Sequence, residues 1–251
     1  MLTGARQKLI EDLAARNGEV VVSALAKQLG VSVETIRRDI TALCEAGKLI
    51  KVHGGAVSAT RPVAESDYQK RRSEGSRVKQ QLGVYAAELV EQNDVIAIST
   101  GSTMEAVAAN LDNASATVIT NSTAVASVVQ QRCRCVLLGG QLHPDEGYTF
   151  GPVTAAQLRG FHTDKAFITA SAVGVDGLMT TGIEEGDLAR QMLETAAQVI
   201  LVVQSTKIGA RSVYRYAGLE AIDVIVTDDQ CPLDPQFEKT VRDLGIKLHI
   251  V

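Results

Sequence analysis

From Asp94 to the end of the chain one pattern repeats: a short β-branched strand, a loop of Gly, Asn, Ser or Thr, and a helical stretch. DVIAIS runs into TGST and the helix MEAVAANL; TVIT runs into NST and AVASVVQQ; CVLL runs into GGQ; KAFIT, VILVV, DVIVT and KLHIV follow. Short β-branched strands that alternate with helices predict a mostly parallel sheet covered on both faces, because crossover helices return the chain in the same direction. In such sheets ligands bind in the crevice outside the carboxyl ends of the strands.

Those ends carry the polar residues. Thr100, Gly101, Ser102 and Thr103 lie between a strand and a helix N-terminus, where hydroxyls and amide donors can surround a phosphate or another oxyanion. Asn121 follows the next strand, Gly139-Gly140 the third, and Gln204-Ser205-Thr206-Lys207 adds a cation after a later one. Taken singly, a Gly-Ser-Thr turn also serves as a helix cap, an Asn-Ser pair as a turn, and a lysine as a surface charge. Their recurrence at strand ends is the stronger signal, since one edge of the sheet brings them together.

The first sixty residues follow a different pattern. Leu9, Ile10 and Leu13 recur at helical spacing, and Asn17-Gly18 supplies a stop. Val20–Val22 reads as a short extended piece, Ser23 as the cap of a second helix ended by Gly30, and Ser32 as the cap of a third. On the third, Val33, Ile36, Ile40 and Leu43 share a face and Gly47 closes the helix. At about 100° per residue, Glu34, Arg38 and Thr41 fall opposite that face, with Thr35 and Arg37 beside them. Next, KLIKVHGGAVSA reads as a hairpin about His53-Gly54-Gly55. Helix-turn-helix plus hairpin is a winged head, whose third helix can enter a major groove. The plain reading of the doubled arginine is a solvated face with Glu34–Arg38 pairing; the adjoining wing favours the nucleic-acid reading.

Charge agrees with that division. Residues 1–60 carry eight Lys and Arg against six Asp and Glu, a net +2, which leaves −6 for the rest of a chain whose total is −4. Residues 57–77, with Pro62, Gly75 and the basic run QKRR, lose apolar periodicity and mark a junction. The expected division is therefore 1–57 as head, 58–77 as linker and 78–251 as body, with QKRR read as a solvated segment in preference to a second phosphate patch. A helix from about Val78 to Glu91 joins the two.

The residues Arg6, Leu9 and Leu13, then VSVETIRRDI, then LCEAGKLIKVHGGA resemble the N-terminal signature of DeoR-type bacterial transcription regulators. The order TGST, TNS, LLGG, Gly151, DKAFITASAV, STK and VTDD resembles the effector domain of the same family across residues 78–251. The resemblance implies operator contact through Ser32, Thr35, Arg37 and Arg38, wing contact through His53, Gly54 and Gly55, and a body of the ribose-5-phosphate isomerase fold. It also implies an effector that is a phosphorylated sugar or related metabolite, held by Thr100, Gly101, Ser102, Thr103, Asn121, Gly140 and Lys207. Repression of a carbohydrate-catabolism operon is the implied mode. Two positions depart from the family: Ser99 and Gln204 are neutral where many members are acidic. Glu184, Glu185 and Asp187 after Gly182 can replace the missing acceptor, or simply form the charged first turn of a helix.

Other functions are disfavoured. A sugar-phosphate isomerase with an accessory head is the main rival, but proton transfer needs a placed carboxylate and no aspartate-rich segment of the D-G-A-D-E type occurs. A DNA-binding architectural factor with a vestigial pocket is the third reading. Cys44, Cys133, Cys135 and Cys231 lack the paired spacing of a zinc site and are expected as reduced, mostly buried thiols, with no metal or cofactor. No apolar run approaches a membrane span and the N-terminal turns are charged, so a cytoplasmic protein without membrane contact is expected. One small head binds weakly, so a homo-oligomer, dimer or tetramer, reading double-stranded operator DNA at repeated half-sites is expected.

Overall fold

The structure, a computed structural model, describes residues 3–17, 19–52, 54–58, 68–112 and 115–251. In the first part, helix α1 (Thr3–Asn17) is followed by β1 (Glu19–Val21), α2 (Val22–Leu29), α3 (Val33–Glu45), β2 (Leu49–Val52) and β3 (Gly55–Ser58). The two strands after α3 form the expected hairpin, and β1 adds a third antiparallel strand in the order β1-β3-β2. Ser32 caps α3 by accepting from the Thr35 amide at 3.1 Å. Ser23 does not cap α2: that helix starts a residue earlier, behind Val21, with no side-chain cap. Gly30 ends it in the left-handed conformation, φ 64°.

Ile10, Ala14, Leu25, Ile36, Ile40, Leu43, Leu49 and Ala56 make a core confined to these elements. Two residues of α3 differ from expectation. Val33, expected on the core face, is 41% exposed, whereas Asp39 is buried. Asp39 is tolerated there because Arg6 of α1 closes on it, Nε to Oδ2 at 2.5 Å and Nη2 to Oδ1 at 3.3 Å, and Gln7 donates to it at 3.2 Å. The aspartate of the T-I-R-R-D run thus ties α1 to α3. Gly55 has a packing reason of its own: a Cβ there would stand 2.0 Å from the Val20 carbonyl oxygen.

The remainder begins with α4 (Tyr68–Ser73) and α5 (Ser76–Glu88), so the last part of the segment expected as linker is helical, with Tyr68 buried against the body. Then come β4 (Val95–Ile98), α6 (Ser102–Asn110), β5 (Thr117–Thr120), α7 (Thr123–Val129), β6 (Arg134–Leu137), β7 (Gln141–Leu142), β8 (Thr149–Phe150), α8 (Pro152–Leu158) and β9 (Thr163–Ile168). After β10 (Ala172–Gly174) and β11 (Gly177–Thr180) the chain continues through α9 (Ile183–Thr195), β12 (Ala196–Val202), β13 (Tyr214–Ala217), β14 (Val224–Thr227), α10 (Pro235–Asp243) and β15 (Lys247–Ile250). Seven strands form one parallel sheet in the order β15-β14-β12-β9-β4-β5-β6. Neighbouring strand residues face opposite sides: Ile96, Ile98, Val118 and Phe167 pack with α5, α6 and α7, while Ala97, Ile119, Ala166 and Ile168 pack with helices that follow β8. The sheet is covered on both faces as expected. The small antiparallel sheet β10-β11-β13 was not expected. No helix among the described residues is long and apolar enough to cross a membrane.

Candidate functional site

The head presents α3 to solvent. Arg37 and Arg38 have side chains 67% and 82% exposed, and Glu34 reaches them only at 4.0 and 3.9 Å. Such long contacts between hydrated groups leave both guanidinium groups available to another anion. Ser32 and Thr35 share a hydroxyl contact of 2.8 Å at the helix start, and Gly54 is exposed at the wing tip with φ 81°. His53 lies outside the described residues. Among these residues Ser32 and Gly55 already serve the fold, one as a cap and the other at the β1–β3 contact.

In the body, topology selects the site. From β4 the chain adds β5 and β6 on one side, then returns to place β9, β12, β14 and β15 on the other, so the strand order reverses between β4 and β9. At such a switch point the crossovers leave on opposite faces and open a crevice at the carboxyl ends. The crevice is there, lined by Ser99, Thr100, Asn121, Thr169, Thr180, Glu185 and Tyr216 among others. Thr100 and Asn121, buried at 3% and 2% exposure, hold Oγ1 and Oδ1 without a hydrogen-bond partner, as does Oγ1 of Thr169. Buried polar atoms are seldom left unsatisfied, so three on one crevice wall point to a polar occupant. Asn121 is held in place by donating to the Thr149 carbonyl at 2.9 Å.

The other expected ligands are placed unequally. Gly101 begins α6 with φ 121°, next to Thr169, where a Cβ would stand 3.0 Å from the threonine methyl. Ser102 donates to the Arg71 carbonyl at 3.4 Å, and Thr103 is buried in α6. Gly140 does not line the crevice. It is glycine because φ is 148° and a Cβ would meet Thr154 Oγ1 at 2.0 Å. Lys207 donates to the Ala170 carbonyl at 3.1 Å, just beyond β9. Desolvation, with Lys79 and Arg71 nearby, pushes its ammonium down to about 8, while Glu185 opposes the shift.

Several residues of the site escaped sequence reasoning. Glu185 is the one of the three acids after Gly182 that faces the crevice, where Thr180 donates to it; Asp187 instead accepts from Tyr214 at 2.7 Å, and Glu184 is exposed. Burial raises the Glu185 carboxyl above the usual range, Glu146 adds to the rise, and the Thr180 hydroxyl, Arg71 and Lys207 oppose it. Helical phase would have separated Glu185 from its neighbours only if the helix start had been known. Thr169 ends β9 without the glycine that drew attention to the TGST turn.

Within the QKRR run, Arg71 and Arg72 meet acids of the body, Arg71 half-buried and Arg72 still exposed. Arg71 pairs with Glu146 and its Nε is buried without a partner, while Arg72 pairs with Glu105 at 2.8 Å. Tyr68 also donates to Glu105, whose carboxyl burial pushes up to about 7. Lys79 donates to the carbonyls of Arg71 and Glu74, the second at 2.7 Å. Arg71 and Arg72 thus join α4 to two buried acids of the body, Glu146 of the β7–β8 loop and Glu105 of α6. Cys133 is buried and the other three cysteines are half-buried, and no cluster that could hold a metal ion occurs among the described residues.

Comparison with known proteins agrees with both halves. A DeoR-like helix-turn-helix domain matches residues 6–62 and a DeoR C terminal sensor domain matches residues 74–229. The HTH-type transcriptional repressor GlcR of Bacillus subtilis is 31% identical, over 87% of this chain and 86% of its own. The glycerol-3-phosphate regulon repressor of Escherichia coli is 28% identical, over 97% and 98% of the two chains. Ribose 5-phosphate isomerase A of Methanocaldococcus jannaschii is similar at 19% identity over 54% of this chain and 55% of that one, with a TM-score of 0.41, a likeness that carries no functional weight. With a helix-turn-helix head, a switch-point crevice and these matches, the chain belongs to the DeoR family and is a transcription regulator, not an enzyme.

Proposed function

We propose that the protein is a repressor of a carbohydrate-catabolism operon whose hold on operator DNA is set by a phosphorylated sugar or a related metabolite bound at the β4–β9 crevice. The unpartnered Thr100, Thr169 and Asn121 side-chain atoms carry this reading, with Lys207 held on the carbonyl of Ala170, the neighbour of Thr169. Hydroxyl donors and a cation suit the phosphate; the Asn121 oxygen and Glu185 suit sugar hydroxyls, a task that Ser99 and Gln204 do not perform as acids. Residues 1–57 act as the DNA-binding head, with Ser32, Thr35, Arg37 and Arg38 at the major groove and Gly54 and Gly55 at the wing. Residues 78–251 act in sensing and in assembly of a homo-oligomer, dimer or tetramer, in the cytoplasm. Repressors of sugar-phosphate genes among the relatives, such as that of the glycerol-3-phosphate regulon, support the effector class.

A duplex selected by the full-length protein from a random pool supplies the operator for the test. Sugar phosphates and their unphosphorylated counterparts are compared by thermal shift and by release of that duplex. At least one phosphorylated compound should raise the melting temperature by mass action and change operator affinity, and the operator should reciprocally change the affinity for that compound. Lys207→Ala should weaken the compound and spare the duplex. A best ligand without an anionic group, or an unchanged affinity in Lys207→Ala, ends the proposal.

A further inference from the structure

The first helix of the body, α4, packs beside the TGST turn that borders the crevice. Arg71, near the end of α4, uses Nη2 on Glu146, while Nε on the same edge of the guanidinium is buried and has no partner. A guanidinium binds an oxyanion best through two parallel N–H groups, so the contact with Glu146 leaves half of that edge unused. Glu146 is itself buried, at 6% exposure, on the loop between β7 and β8. It occupies the place of an anion without completing the fork. Arg71 and Glu146 both act electrostatically on Glu185, which lines the crevice, and Arg71 acts on Lys207 as well. The main chain at Arg71 is tied to the same region: its carbonyl accepts from Lys79 and from Ser102 of the TGST turn.

We propose that Arg71 is an exchangeable anion ligand, held by Glu146 in the empty protein and transferred to the effector's anionic group when the crevice is filled. The inference rests on the crevice being the effector site. Arg71, Lys79 and Lys207 act on one another electrostatically, so an incoming anion meets three cations, offset by Glu74, Glu146 and Glu185. An incoming phosphate oxygen that satisfies Nε competes directly with Glu146 for the guanidinium. Because α4 begins right after the stretch that leads from the head, the exchange alters the anchoring of the body's first helix, and occupancy of the crevice is transmitted along the chain. The ligand can move that equilibrium only by its preference for the exchanged state, and the unfilled Nε is the source of such a preference.

Inorganic phosphate is the probe, titrated into the full-length protein against sodium chloride of matched ionic strength and followed by calorimetry and thermal shift. Glu146→Gln removes the internal competitor and should tighten phosphate about fivefold, a gain that a damaged fold does not produce. Arg71→Gln should weaken it tenfold or more, and Arg71→Lys, which keeps the charge but loses the fork, should fall between Arg71→Gln and the parent. Melting in the absence of phosphate checks that each variant is folded. If the parent and both Arg71 variants bind phosphate alike and Glu146→Gln brings no gain, while Lys207→Met loses binding, the exchange is overturned and the crevice reading stands. A parent that shows no phosphate response at tens of millimolar overturns both.

Discussion

The head and the body use arginine in opposite ways. On α3, Arg37 and Arg38 stand in water with Glu34 no nearer than 3.9 Å. On α4, Arg71 sits against the buried Glu146 with one N–H unsatisfied. Hydrated cations attract any polyanion, their contribution is screened by salt, and they add little to folding. Enclosed cations act over short distances, keep much of their strength in salt, and discriminate by geometry. One molecule thus combines a surface suited to a long, regular array of phosphates with a pocket suited to a single small anion. The difference lies in what surrounds the guanidinium, not in its chemistry.

The largest effect should come from breaking a buried pair where the head is otherwise open. Asp39→Ala removes the buried carboxylate that Arg6 and Gln7 hold, so the head should unfold and specific operator binding should disappear, while the body's crevice still binds phosphate. Circular dichroism and anisotropy on the selected duplex measure the two losses. Loss of phosphate binding in the same variant would show that the regions are not as separate as the comparison holds.

Next in size is Arg38→Ala. If Arg38 reads a base edge, operator binding should weaken by about 1–3 kcal/mol, and by less on unrelated DNA. If it meets phosphate alone, all sequences should weaken alike and the salt slope should fall by about one unit. Thermal stability should not change, since the side chain is 82% exposed.

The pocket side of the comparison is sharpened by pH. In the ligand-free protein the Lys207 ammonium titrates near 8, against an ordinary 10.5. Between those values the unfolded chain carries the extra proton, so stability should rise with pH across that window, and Lys207→Met should lessen the rise, leaving the part that the buried Lys79, also lowered, contributes. Phosphate affinity should fall as pH increases through about 8, because the charge that receives the anion is lost. Binding isotherms between pH 7 and 9, set against operator titrations whose arginines stay charged, would separate the two kinds of cation.

The smallest effect belongs to Glu34→Gln. Its contacts with Arg37 and Arg38 are long and exposed, and such helix pairs contribute about 0.2–0.5 kcal/mol. The melting temperature should hardly move, and operator affinity should rise slightly as a like-signed neighbour of the DNA phosphates is removed. A large loss of stability would mean that the exposed arginines are structurally engaged after all.

Periodicity by itself determined the elements. Seven apolar strand runs separated by polar loops and helices specify a parallel sheet, because the inner runs have to be buried on both faces, the edge strands β6 and β15 less so. The Gly30 stop of α2, and the Ser32 cap and Ile36-Ile40-Leu43 stripe of α3, likewise follow local rules that need no distant partner. Of the polar strand ends, Thr100 and Asn121 line the crevice and Gly140 does not. Strand order was not legible, and only the return of the chain from β6 to β9 put Thr169 beside Thr100 and made the crevice. The same holds for Arg71, Glu146 and Glu185: as isolated letters they are surface charges, and they became site residues through partners seventy-five and thirty-nine positions away in the chain. Asp39 was hidden for the same reason, its partner lying on another helix. Local periodicity records which face a residue turns to the core. Which charge it finds there depends on contacts between distant segments, and those are decided only when the chain has packed.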